Sequence, residues 1–163
     1  MTPKKEDVLT ILSTVCDPEI PVVNIVEMGI VRGVEINEMS VRVDITPTYS
    51  GCPAMKVIQD DIVSALRANG YHSVSINTIY SPAWTSDWMD DATKQKLKEY
   101  GIAPPERSSG HVIVLLPVKN ETVTCPFCES SETELRSAFG STACKSYYYC
   151  NDCKQPFEHF KEI

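Results

Sequence analysis

The sequence predicts an α+β fold: a small α-β-β-α-β domain with a three-stranded sheet, a Trp-containing helical connector, and a C-terminal four-cysteine zinc β-ribbon. Three observations carry this prediction. Apolar periodicity orders residues 1–80 as helix, strand, strand, helix, strand. The composition then changes, and both tryptophans fall in 81–120. Finally, two Cys-x2-Cys knuckles, Cys125/Cys128 and Cys150/Cys153, lie within 121–163.

Each element has a local reason. Thr2-Pro3 supplies a hydroxyl cap and a proline suited to a first helical turn. Val8, Ile11, Leu12 and Val15 follow at helical spacing, and Asp17-Pro18 stops the helix. Residues 30–36 and 41–45 alternate apolar and polar side chains around Asn37-Glu38, which predicts a hairpin. Met55, Ile58, Ile62 and Leu66 form one face of a second helix that ends at Asn69-Gly70. Residues 74–79 give a third strand, so helices should cover one face of a small sheet.

In the connector, Trp84 and Trp88 are four residues apart and would share a face if the segment is helical. That places them either in interdomain packing or on a surface that anchors a client protein. Asp87, Asp90 and Asp91 precede Lys94, Lys96 and Lys98, an order that suits the dipole of a third helix ending before Pro104-Pro105. Residues 106–110 read as a polar linker, 111–118 as a strand entering the ribbon, and Tyr147, Tyr148 and Tyr149 as a strand entering the second knuckle.

Bulk properties narrow the function classes. The chain has 163 residues, 42% hydrophobic and 23% charged, with a net charge of −7. A negative chain lacks the basic footprint of a nucleic-acid binder, which disfavours a nucleic-acid-binding ribbon. The N-terminal stretch has no apolar core of a signal peptide, and no apolar run is long enough to span a bilayer. A cytoplasmic, reducing setting is expected, where seven cysteines serve as ligands and functional thiols rather than as a disulfide frame.

Cys125, Cys128, Cys150 and Cys153 can present four thiolates to one tetrahedral ion, and a ribbon this short needs such a staple. Cys144 lies between the knuckles but forms no tight knuckle itself, so it ranks below them. Cys52 stands between a predicted strand and helix, with Pro53 in the first helical turn. An N-cap thiol there would feel the positive helix end and ionise easily, or would simply fill a corner. Asp17 reads as a turn cap, Glu27 as solvent-facing, and Cys16 as a small buried side chain. His159 reads as an ordinary ribbon histidine. No phosphate loop, dinucleotide fingerprint, nucleophile elbow or acid–base pair at fixed spacing is present, so independent catalysis is not expected.

Asp17-Pro18-Glu19-Ile20-Pro21, Glu27-Met28-Gly29-Ile30-Val31 and Thr46-Pro47-Thr48-Tyr49-Ser50-Gly51-Cys52-Pro53 resemble the iron–sulfur-assembly domain of the SufT family. Ser81-Pro82-Ala83-Trp84, Asp87-Trp88, Tyr100-Gly101-Ile102-Ala103-Pro104-Pro105 and Gly140-Ser141-Thr142-Ala143-Cys144-Lys145, together with the ribbon, resemble the narrower PaaD family of phenylacetate-pathway accessory proteins. The resemblance implies a maturation role, without catalysis of its own, for a ring-epoxidising phenylacetyl-CoA oxygenase. Its implied partners are the oxygenase subunits, notably the iron–sulfur reductase, with no nucleic acid and no membrane. It implies Cys52 as the functional thiol, with Asp17, Glu27 and Thr48 shaping its loop. The implied cofactors are structural zinc and a transient iron–sulfur cluster or iron. One thiolate holds a cluster poorly, so a second protomer in a homodimer, or a client, would complete the site. The rival reading is a non-catalytic structural subunit of the oxygenase.

Overall fold

Apolar spacing organises residues 5–78 into two helices against a three-stranded sheet. The computed structural model describes residues 4–38, 40–106 and 122–163. Two compact units divide at Trp84, Met1–Trp84 and Thr85–Ile163, whereas the sequence suggests three segments. Residues 85–106 group with the ribbon in the second unit.

In the first unit, α1 (Lys5–Leu12) begins at Lys4, whose N–H donates to the Asp7 carboxylate at 3.0 Å. Asp7 thus satisfies a free donor at the positive helix end. The expected Thr2-Pro3 start lies outside the described residues. Strand β1 (Val31–Asn37) pairs antiparallel with β2 (Ser40–Ile45), and β2 pairs parallel with β3 (Ser73–Thr78) through the crossover helix α2 (Ala54–Ala68). A bulge interrupts β1 between Val31 and Gly33. A Cβ on Gly33 would meet a carboxylate oxygen of Asp44 at 2.9 Å, so a larger residue there would push that side chain aside.

Side-chain alternation puts Val41, Val43 and Ile45 beneath Ile58, Ile62 and Leu66 of α2 and Val8 and Leu12 of α1, all of them buried. Each such aliphatic contributes about 1.5–3 kcal/mol on burial. The irregular loop after α1 also enters this core through Ile20, Val23, Ile25, Met28 and Ile30. The opposite sheet face carries Glu35, Arg42 and Ser75 in register, and it is polar. Cys16, expected to be buried, is exposed beside a one-residue bridge to Asn24. The alternation of the bridged segment turns Asp17 inward instead.

The second unit opens with a 3-10 turn, Ser86–Trp88, followed by α3 (Asp91–Tyr100). Asp90 caps α3 by accepting the Thr93 N–H at 2.7 Å, and Gly101 ends it at φ +94°, a conformation that favours glycine. Strand β4 (Ile102–Ala103) pairs parallel with β7 (Pro156–Phe160), which pairs antiparallel with β6 (Lys145–Cys150), itself antiparallel to β5 (Thr133–Ser137). The predicted tyrosine strand is β6. Lys145 is buried and paired with Glu158 at 2.9 Å, and Glu158 also accepts the Ser141 N–H, which fixes the 140–145 loop. The expected 111–118 strand lies outside the described residues. None of the described helices is long and apolar enough to cross a membrane.

Candidate functional site

The two knuckles converge. Cys125 and Cys128 stand in the turn before β5, Cys150 ends β6, and Cys153 lies in the β6–β7 turn. Their four Sγ atoms lie within 4.8 Å of one another, with Cys125–Cys153 at 3.7 Å and Cys128–Cys150 at 3.6 Å. Sulfurs bound at about 2.3 Å to a tetrahedral zinc would sit about 3.8 Å apart, so the donor set fits zinc. The N–H groups of Phe127 and Cys128 point at the Cys125 sulfur, and those of Asp152 and Cys153 at Cys150. Such donors stabilise thiolate charge.

The thiols also show why a cation is wanted. Burial raises Cys125. Burial and the neighbouring thiols push Cys153 up to about 12. Burial also opposes ionisation of Cys150, yet its N–H donors and the Cys128 thiol outweigh this and bring it down to about 7. Four thiolates in one pocket repel each other, and a dication removes the conflict. Four thiolates would close the coordination sphere of such an ion and leave no open position, as in structural rather than catalytic zinc sites. Cys144 is buried elsewhere, with its sulfur 3.1 Å from the Thr142 hydroxyl. His159 is a packed ribbon residue, edge-on to Tyr148, and burial followed by the Lys161 charge lowers it to about 4.

The Cys52 loop joins β2 to α2 at the C-terminal ends of the parallel strands β2 and β3. Thr46 anchors it by donating to the Ile79 carbonyl at 2.5 Å. The Cys52 N–H donates to the Tyr49 carbonyl at 3.3 Å, closing a tight turn whose Gly51 has φ +81°. Pro53 takes the N-cap and α2 starts at Ala54, so Cys52 lies one position outside the expected cap. The Ala54 N–H and the Thr48 hydroxyl both donate to the sulfur.

The expected easy ionisation does not occur. Burial raises the Cys52 pKa most, and the nearby Glu19 and Asp17 charges raise it further, outweighing the Ala54 and Thr48 donors. At neutral pH the side chain rests as a half-buried thiol. Its alkylation at pH 7 should therefore be slower than that of free cysteine. Asp17→Asn should speed it by a factor of a few, since the amide keeps the loop acceptor and removes the charge. Mass-spectrometric alkylation rates check both, and an unchanged rate in Asp17→Asn would remove Asp17 from the thiol's environment.

The surrounding candidates fare differently. Asp17 caps its turn as expected, accepting the Glu19 and Ile20 N–H groups at 2.7 and 3.1 Å, but it is buried and also acts on Cys52. Thr48 is buried against the sulfur. Glu27 does not simply face solvent. It is half-buried and accepts the Asn24 N–H at 3.1 Å, while Asn24 Oδ1 accepts the Val26 and Glu27 N–H groups. Glu19 was missed, although it sits inside the Asp17-Pro18-Glu19 motif. Trp84 and Trp88 do not share a helical face. Trp84 precedes the 3-10 turn, is 3% exposed, and donates its indole N–H to the Met28 carbonyl at 2.8 Å. That burial removes it as a client anchor. Trp88 is half-buried in the second unit.

An α+β domain bearing one loop thiol is followed along the chain by a four-cysteine ribbon, and both parts match known protein families. The family model described as "Iron-sulfur cluster assembly protein" matches residues 5–77, and the "PaaD zinc beta ribbon domain" model matches 112–161. A protein of Escherichia coli (strain K12), named as a candidate component of a 1,2-phenylacetyl-CoA epoxidase, is 43% identical over 99% of this chain and 94% of its own length. The chain belongs to the PaaD family. The Staphylococcus aureus (strain USA300) Fe-S protein maturation auxiliary factor SufT is 34% identical over 49% of this chain and 92% of its own length. A crystal structure of a domain of unknown function, DUF59, from Bacillus anthracis matches 57% of this chain and 90% of its own, at 28% identity and a TM-score of 0.54. These likenesses give the chain an accessory role.

Proposed function

We propose that the chain is a non-catalytic maturation factor that helps install iron, or an iron–sulfur cluster, in a phenylacetyl-CoA-epoxidising oxygenase. The observation that carries this reading is the Cys52 loop, where one half-buried thiol is held by Thr48 and Ala54 beside the carboxylates of Asp17 and Glu19. An iron cation, as cargo, is drawn to these two charges and offsets their field at the sulfur. The Cys52 proton then leaves to water, and the Thr48 hydroxyl and Ala54 N–H stabilise the thiolate that binds the cargo. A single thiolate cannot complete a cluster's coordination, which favours handover to a client that supplies further ligands. The reductase subunit of the oxygenase is the natural client, because it carries a cluster. The ribbon's zinc holds its own unit folded and takes no part in transfer.

Cys52→Ala should leave fold and zinc content unchanged, because the residue lies outside the ribbon and is only half-buried. In cells that depend on this protein, the variant should fail to restore oxygenase activity. Full complementation by Cys52→Ala would reduce Cys52 to a corner-filling residue. The name of the Escherichia coli relative favours a second reading, a structural subunit that stays in the complex. Purified, already matured oxygenase separates the two. Full activity without this protein supports maturation, and a continuing requirement for it supports the structural role.

A further inference from the structure

Trp84 lies outside residues 5–77, the span that matches the assembly family, yet its indole reaches back into that span. It donates to the Met28 carbonyl at 2.8 Å, and because the ring is buried, water does not compete for the bond. Met28 belongs to a turn, residues 24–30, that is neither helix nor strand. Inside the turn the Met28 N–H donates to the Asn24 carbonyl and the Ile30 N–H to the Ile25 carbonyl, both at 3.0 Å.

Two loops meet on this turn. On one side, Asn24 forms the one-residue bridge to Cys16, the Asp17 N–H donates to the Val23 carbonyl at 3.0 Å, and the Ile25 N–H donates to the Val15 carbonyl at 3.0 Å. The Asp17 loop is thereby laced to the start of the turn. On the other side, the Thr46 N–H donates to the Ile30 carbonyl at 2.9 Å, and Thr46 opens the loop that carries Cys52. The turn ties the two loops together, and the indole pins its middle.

We infer that Trp84 is a positioning residue for the Cys52 site: its indole N–H fixes the 24–30 turn, and the turn sets the Asp17 loop against the Cys52 loop. Glu27 works beside it, since its carboxylate closes the same turn on the Asn24 N–H at 3.1 Å. Loosening the turn would let the Asp17 and Glu19 carboxylates drift from the sulfur and would thin its cover. The Thr48 and Ala54 donors belong to the Cys52 loop itself and would stay. Both changes favour the reactive thiolate. The inference concerns the surroundings of the thiol and does not rest on the iron-handling reading.

The test is the alkylation rate of Cys52 in the full zinc-loaded chain at neutral pH, followed on the Cys52 peptide by mass spectrometry. Trp84→Phe removes the indole N–H and keeps most of the volume. It should speed alkylation by a factor of a few, and hydrogen exchange at the Met28 and Thr46 amides should quicken with it. In an Asp17→Asn, Glu19→Gln background neither carboxylate charge is left to drift, so most of that gain should vanish. Ile62→Val trims the buried core in the middle of α2, outside the hydrogen bonds of the turn. It should lower stability and leave the alkylation rate at the wild-type value. An unchanged rate in Trp84→Phe overturns the inference. So does a gain that persists in full without the two carboxylates, or one that Ile62→Val reproduces, because either result would reduce Trp84 to a packing residue.

Discussion

Cys150→Ser should empty the metal site and unfold the ribbon while the first unit stays folded. Cys150 is fully buried at the end of β6, and its sulfur faces Cys128 at 3.6 Å. The core around it consists of Ala103, Cys125, Tyr148 and Phe157, with Val123, Leu135 and Cys153 at its margin. Two of the side chains in this core are themselves metal ligands, so loss of the metal removes much of what offsets the conformational entropy of β5 to β7. Structural zinc contributes apparent binding energies of about 10–16 kcal/mol at neutral pH, and the loss of one of four thiolates removes much of that. Elemental analysis should find less than stoichiometric zinc in Cys150→Ser, and hydrogen exchange should lose protection in β5, β6, β7 and the β4 strand paired to β7, while the first unit keeps it. Cys144→Ser is the control and should keep its zinc, because that sulfur lies outside the cluster. Stoichiometric zinc in Cys150→Ser, or its loss in Cys144→Ser, would overturn the ligand set.

Trp84→Ala should cost the first unit about 3–5 kcal/mol, as for other buried Trp truncations. The indole is 3% exposed and caps a core in which Met28 is 1% exposed. Its N–H also satisfies the Met28 carbonyl at 2.8 Å, so the truncation strands a buried acceptor in addition to opening a cavity. Trp84→Phe keeps most of the volume and loses the hydrogen bond, which should cost about 1–2 kcal/mol. Denaturant titration of both variants measures the difference. A cost below about 0.5 kcal/mol for the alanine variant would mean that the indole is not part of the packed core.

The legible parts of the fold were those set by local pattern. Alternation in 31–37 and 40–45 and the Ile58, Ile62, Leu66 stripe fixed the sheet and α2. The knuckle spacing picked out the four cysteines whose sulfurs the fold brings together. What stayed hidden depends on groups distant in sequence. The two-residue strand β4 exists only because β7, more than fifty residues later, offers it a partner. The thiol chemistry of Cys52 was misread because the helix end is local, whereas Glu19 and Asp17 arrive from a loop about thirty residues earlier. Glu27 was misread because its turn is closed by its own side chain, through the Asn24 N–H. Trp84 and Trp88 suggested a shared face only on the assumption of a continuous helix, and the chain turns between them.

The acidic setting of Cys52 has a further consequence, for survival of the residue in the presence of oxidants. Peroxide attacks thiolate far faster than thiol, and the first product, a sulfenic acid, can proceed to acids that cells do not readily reverse. With burial, Glu19 and Asp17 holding its proton in place, the resting side chain is shielded from that ladder. The carboxylates of Glu19 and Asp17 therefore slow oxidation of the thiol beside them.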